Sequence, residues 1–264
     1  MTQPSANKTA LVTGASAGLG RDFAELFARD GHNVVLVARR KERLEELKQQ
    51  LEAAHNITAT VMATDLTDAD APKQIFDALA DQNITIDFLV NNAGFGTNGP
   101  FIDQEPQREL DMVAVNITSL LHLTRLFIPQ MVERGYGRIL NVGSTAGFQA
   151  GPFMATYYAS KAFVNHFSEA LSHELAGTGV AVTVSCPGPT KTEFGDVSGN
   201  GKSNLFKGQA ARSEDVALHA YKAMMKGNRM AIPGFKNKLL VQTLRVSPRS
   251  MIHRIAARLN KPAR

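Results

Sequence analysis

The chain has 264 residues, 44% of them hydrophobic and 20% charged, which fits one α/β domain of this size or two smaller ones. No uninterrupted apolar run reaches the roughly 20 residues of a membrane span, and Met1 to Ser5 lead straight into a strand pattern, so neither a span nor a leader is expected. A lone Cys186 excludes a disulfide framework or a cysteine metal cluster and points to a reducing, cytoplasmic setting. The net charge of +5 is unevenly spread: residues 236–264 carry eight Lys/Arg and no acid, leaving 21 bases against 24 acids in residues 1–235. With no Trp and four Tyr there is no stacking platform for bases, and no nucleic-acid partner is expected.

Strand-length apolar runs alternate with amphipathic stretches of helical length. Strands are predicted at Thr9–Thr13, Asn33–Ala38, 57–62, Phe88–Asn91, 138–143, 180–186 and 230–232, each rich in β-branched residues and bounded by Gly, Asn or Pro. Helices are predicted near 18–30, 41–54, 70–81, 106–134, 155–177 and 213–227. Seven strands with intervening helices imply an α/β fold: a single-domain, doubly wound, seven-stranded parallel sheet with helices on both faces. A dinucleotide-binding catalytic domain is expected over 7–232, and a basic helical extension over 233–264. Residues 187–212, rich in Pro, Gly, Ser and Lys, have the length of an active-site loop. The extension splits at Ser247 and Pro248, where Ser can cap a second helix and Pro can open it.

The first strand runs into Thr13, Gly14, Ala15, Ser16, Ala17, Gly18, Leu19 and Gly20 before the first helix. Glycines between a buried strand and a helix start let backbone N–H groups and the positive helix end approach a pyrophosphate. The same turn satisfies the GxSxG pattern of a serine hydrolase, but such an elbow follows several earlier strands, whereas this one follows the first. His173 and Glu174 open an HExxH pattern that fails at Gly177, so no metal site is expected.

The second strand ends in Ala38, Arg39, Arg40. A carboxylate there would hold the ribose 2′-hydroxyl of NAD; two guanidiniums instead favour a 2′-phosphate by charge and bidentate geometry, with Arg39 the stronger candidate. Tyr157 and Lys161 are four residues apart on a predicted helix and so share a face. An ammonium beside a phenol is expected to lower its pKa from about 10. Ser144 lies at the end of the fifth strand, where parallel sheets bind ligands. Asn116 is a polar misfit among Val113, Val115, Ile117 and Leu120, either a satisfied buried amide or a working group.

Taken in order, these residues resemble the classical short-chain dehydrogenase/reductases over about residues 7–232. TGxxxGxG appears as Thr13 to Gly20, the acid after the third strand as Asp65 with Leu66, NNAG as Asn91 to Gly94, the helix Asn as Asn116, the Ser as Ser144, YxxxK as Tyr157 to Lys161, and the PG motif as Pro187 and Gly188, followed by Thr190 and Thr192. The resemblance implies a Rossmann fold, with Tyr157 as proton donor to a carbonyl, or acceptor from an alcohol in reverse, and Ser144 holding the substrate oxygen. It further implies that Lys161 bridges the nicotinamide ribose hydroxyls and depresses the phenol pKa. Asn116 would position a water that links Lys161 to solvent. Gly14, Ser16, Gly18, Leu19 and Gly20 would cradle the pyrophosphate, Asp65 and Leu66 the adenine, Asn92, Ala93 and Gly94 the ribose, and Thr192 the carboxamide. Ala17 stands where many NADP-preferring relatives carry a second base, so NADP(H) is favoured while NAD(H) use stays open.

Phe95, Phe148, Phe153, Met154 and Phe194 are expected to wall the substrate pocket, an apolar set with no Arg clamp. The leading reading is an NADPH-dependent reductase of apolar ketones or aldehydes. A 3-oxoacyl reductase acting on acyl-carrier or coenzyme A thioesters is the alternative, and a non-catalytic NADP-binding sensor or scaffold is the contrasting class. The resemblance also implies a homo-oligomer, a dimer or tetramer built on the helices near 106–134 and 155–177. In the tail, Met251, Ile252, Ile255 and Leu259 form one stripe with Arg249, Arg254 and Arg258 largely off it, which suits either docking on the body or peripheral contact with an anionic membrane.

Overall fold

The computed structural model describes residues 8–198 and 210–262. Its strands in chain order are β1 (Thr9–Thr13), β2 (Asn33–Ala38), β3 (Ala59–Ala63), β4 (Phe88–Asn91), β5 (Gly137–Val142), β6 (Val180–Ser185), β7 (Thr190–Lys191), β8 (Ala211–Arg212) and β9 (Met230–Ala231). The helices are α1 (Gly18–Arg29), α2 (Lys41–Ala54), α3 (Ala71–Asp81), α4 (Pro106–Val113), α5 (Leu120–Glu133), α6 (Ala155–Glu174), α7 (Phe194–Val197), α8 (Ser213–Met225), α9 (Phe235–Val246) and α10 (Arg249–Asn260). Seven strands form one parallel sheet in the order β3-β2-β1-β4-β5-β6-β9. The direction of winding reverses between β1 and β4, and a crevice opens there at the carboxyl ends of the strands.

Period-two alternation explains the layers. Ala10, Val12, Val34, Leu36, Phe88, Val90, Leu140 and Val142 face a core shared with α1, α2 and α8, whereas Leu11, Val35, Val37, Leu89 and Ile139 face one shared with α3 and α5. Both faces are buried, so these strands read as continuous apolar runs. At the sheet centre the register pairs Asn91 with Asn141. Asn91 Nδ2 donates to Asn141 Oδ1 at 2.9 Å and to Thr124 Oγ1 at 3.0 Å, and Asn141 Nδ2 donates to Ser168 Oγ at 2.9 Å. This buried polar chain ties β4, β5, α5 and α6 together just below the crevice.

Three local expectations change. The helix expected near 106–134 is continuous, but residues Ala114–Ser119 form a π turn between α4 and α5. By length and composition this 28-residue helix is long and apolar enough to cross a membrane, contrary to the expectation of no span; here its buried side packs on the sheet and α3. The 187–212 stretch is not wholly irregular: β7 pairs in parallel with β8, and α7 lies between them, while 199–209 fall outside the described residues. Ser247 does not cap α10. Its Oγ donates back to Thr243 O at 2.7 Å, closing α9, and Pro248 takes the cap position and accepts from Met251 N and Ile252 N.

Candidate active site

The Gly-rich turn is held from beneath by the β4 loop. Thr13 Oγ1 donates to Val90 O at 3.2 Å and accepts from Asn92 N and Ala93 N, both at 3.0 Å, while Asn92 Nδ2 donates to Thr13 O at 2.9 Å. Gly14 and Gly18 have φ of +69° and +50°, and a Cβ on Gly18 would lie 2.9 Å from Thr192 Cγ2. Both are therefore positions that need glycine. Helix α1 has no side-chain cap and no acid in its first turn, so its N–H groups and positive end face the crevice unopposed. Such a cradle fits a dinucleotide pyrophosphate. Gly14, Ser16, Gly18, Leu19, Asp65, Leu66, Asn92, Ala93, Gly94, Pro187, Gly188, Thr190 and Thr192 all line one cleft of about 720 Å³. Gly20 does not; its lack of a side chain lets α1 pack against Gly14 and Asn92.

The two arginines expected at a 2′-phosphate also line the cleft. Arg39 is largely exposed and sits 3.7 Å from Asp65. Arg40 is the more firmly placed: it donates to Ser16 Oγ at 3.1 Å and pairs with Glu193 at 2.8 Å, and Arg43 joins the same carboxylate at 2.6 Å. Glu193, held below the usual carboxylate range by Arg43 and Arg40, ties the loop after β7 to the start of α2. Ser16 Oγ thus accepts from a guanidinium, a group that cannot serve as the base a hydrolase nucleophile needs.

At the crevice floor, the Tyr157 hydroxyl lies beside the Ser144 side chain. Ser144 Oγ donates to Pro187 O at 3.4 Å and accepts from Ala146 N at 3.1 Å. Burial raises the Tyr157 pKa, opposed by the Ser144 side chain. The expected lowering by Lys161 is not found. Lys161 Nζ lies 5.8 Å from the Tyr157 ring centre and donates to Val142 O at 2.7 Å, and burial brings the lysine itself down to about 8. In this geometry desolvation outweighs the ammonium's field at the phenol.

Asn116 stands behind the cleft on the π turn, a backbone irregularity frequent at functional sites. Its Nδ2 donates to Phe95 O at 2.9 Å and Ser160 Oγ at 3.0 Å, and its Oδ1 accepts from Phe95 N at 3.1 Å. A Cβ on Gly94 would fall 3.0 Å from Asn116 Oδ1 and 3.5 Å from Lys161 Nζ, so this glycine keeps the floor between them open.

Phe95, Met154 and Phe194 line the cleft as expected, with Phe194 packed 5.1 Å from the Tyr157 ring. Phe148 does not: it packs against a core cluster that includes Leu120 and Val164. Nor does Phe153, which takes a left-handed φ of +68° and whose carbonyl accepts from Gly99 N. The tail is the largest addition to the site. Asn237, Leu240, Thr243, Leu244, Met251, Ile252, Ile255 and Leu259 line the same cleft, so α9 and α10 lie on the body and wall the site. Among the described residues there is no cluster able to hold a metal ion, and burial pushes the Cys186 thiol up to about 12, an inert state.

Sequence comparison assigns residues 8–202 to the short chain dehydrogenase family model. The chain is 38% identical to a sulfoacetaldehyde reductase of Chromohalobacter salexigens over 214 residues, covering 78% of this chain and 83% of that one. It is 35% identical over 190 residues to a short chain dehydrogenase of Pseudocercospora fijiensis, covering 71% of this chain but 61% of the relative's length. The solved short-chain dehydrogenase from Sphingobium yanoikuyae in complex with NADPH superposes with a TM-score of 0.82 at 30% identity, over 93% of this chain and 95% of that one. With the Gly-rich cradle at the sheet's crossover and Ser144, Tyr157 and Lys161 converging on its floor, the chain belongs to the short chain dehydrogenase family of carbonyl- and alcohol-directed oxidoreductases.

Proposed function

We propose that the protein is an NADPH-dependent reductase of apolar ketones or aldehydes. The observation that carries this reading is the placement of Tyr157 beside Ser144 at the crevice floor, in the same cleft as a cradle fit for a dinucleotide. The nicotinamide, when bound, supplies the hydride. Burial keeps Tyr157 protonated, the form a donor needs. A carbonyl oxygen set between Ser144 Oγ and the Tyr157 hydroxyl receives a hydrogen bond from the first in place of Pro187 O and the proton from the second. Lys161, brought down to about 8, gives up a proton far more readily than an ordinary lysine and can restore the phenol. Asn116 fixes the Phe95 backbone at the edge of this floor.

Arg39 and Arg40 support the NADPH choice, since a 2′-phosphate can exchange with the carboxylates they now hold. Exposed Leu110, Val113 and Leu121 on the helix spanning 106–133 support a homo-oligomer, which light scattering tests. The reading as a whole is tested by assaying ketones, aldehydes, sulfoacetaldehyde and 3-oxoacyl thioesters with NADPH and NADH. It predicts turnover of apolar carbonyls with NADPH; activity confined to anionic aldehydes would overturn it.

A further inference from the structure

The docked tail adds an apolar wall to the cleft. Along α9, Leu240 and Leu244 face the cleft, and along α10, Met251, Ile255 and Leu259 do so one turn apart. All five are at a helical spacing that puts them on the inner side, while the Lys and Arg residues of the tail that are described lie outside the lining. The wall's closure depends on one side chain. Asn260, the last residue of α10, is fully buried: its Oδ1 accepts from the Tyr158 hydroxyl at 3.2 Å, its Nδ2 donates to Pro152 O at 3.2 Å, and its carbonyl accepts from Asn98 Nδ2 at 2.7 Å. Tyr158 in turn packs edge-on to Tyr157, 6.1 Å away. An amide pegged at two points to the segment flanking the proton donor, with its carbonyl held by Asn98 of the loop after β4, fixes where α10 crosses the cleft.

We propose that α9 and α10 form a sleeve for an extended apolar group on the substrate, and that Asn260 is the positioning residue that sets its width. The inference rests on the reductase reading and narrows it to carbonyl compounds bearing a long alkyl or acyl chain. The cations among the described lining residues are Arg39 and Arg40, at the end of β2, and Lys161, which is engaged with Val142 O; α9 and α10 add none. A short substrate carrying a sulfonate or carboxylate therefore finds no countercharge there, whereas each methylene of a chain finds apolar wall.

The experiment measures kcat/KM with NADPH for a series of methyl ketones of increasing chain length, and the affinity of the same series for the NADP complex by calorimetry. For the full chain, both are expected to rise by about threefold to fourfold per methylene until the sleeve is filled. Ile255→Glu and Asn260→Ala should flatten that dependence, and Val246→Glu, on an 85% exposed position outside the lining, should not change it. Equal affinity for short and long ketones, or an undiminished slope in Ile255→Glu and Asn260→Ala, would overturn the sleeve even if ketones are reduced. Affinity that rises with chain length and is flattened by Ile255→Glu would uphold the sleeve even if no ketone were turned over, in which case it is the reductase reading that falls.

Discussion

The Asn165 amide clasps both backbone groups of Ser144: Asn165 Nδ2 donates to Ser144 O at 3.0 Å, and Ser144 N donates to Asn165 Oδ1 at 3.4 Å. Asn165 is one helical turn beyond Lys161, is fully buried, and fits between Gly143 and Gly147, where a Cβ on Gly147 would collide with its amide. Ser144 is thus oriented by the same helix that carries Tyr157 and Lys161. Replacing Asn165 with Ala strands the Ser144 N–H and C=O in a dry site, at a cost of about 2–3 kcal/mol. Calorimetry should show Tm lower by roughly 5 °C. Because Ser144 loses its setting while the Gly-rich cradle is untouched, kcat should fall about tenfold with the KM for NADPH unchanged; a Tm loss with kcat preserved would mean that the clasp is structural alone.

Cofactor choice rests on two exposed guanidiniums. Replacing both Arg39 and Arg40 with Ser removes the charge that a 2′-phosphate would meet, and kcat/KM for NADPH should fall at least tenfold while that for NADH stays within about twofold. Equal loss with both cofactors, or a wild-type ratio near one, would contradict the assignment. Glu193→Gln should raise the preference for NADPH, since the carboxylate competes for Arg40 and Arg43.

The pH dependence follows from Lys161. Its pKa is lowered by burial from 10.5 to about 8, so above that pH the native lysine no longer holds a proton to return to Tyr157. Turnover in the reductive direction should therefore decline above about pH 8. Stability has the opposite sign. Between about pH 8 and 10.5 the unfolded chain binds the proton that the native lysine has released, so this group stabilises the fold as pH rises through that window. Denaturant titrations across it should show a slope that Lys161→Met removes. A rate that keeps rising past pH 10 would contradict the role given to Lys161.

Much of this was legible in sequence because it is local or periodic. The apolar runs of β1, β2 and β4 end where they were expected, since Gly, Asn and Arg bound them, and the four-residue spacing of Tyr157 and Lys161 put both on α6 at the crevice. What was missed depends on contacts between distant residues. Asn165 carries no motif, and its meaning appears when α6 is laid against β5; Asn260 meets Asn98 across 162 residues. Phe148 and Phe153 were placed in the pocket because aromatic character is common to core and cleft, and the backbone turn at Phe153 decides its direction. The pKa of Tyr157 was misjudged because burial, which sequence does not display, outweighs a lysine aimed at Val142 O. The tail's stripe was visible as amphipathic, but what it faces could be seen once α10 was pegged.

The central claim is that Tyr157 is the proton donor of a working carbonyl reductase. Tyr157→Phe keeps the ring that packs on Phe194 and Tyr158 and removes the hydroxyl beside Ser144. The decisive measurement pairs single-turnover NADPH oxidation by an apolar ketone with NADPH binding by fluorescence, in wild type and this variant. The account predicts binding within about twofold and a turnover rate lowered by roughly a hundredfold to ten-thousandfold; turnover unchanged with binding intact would contradict it.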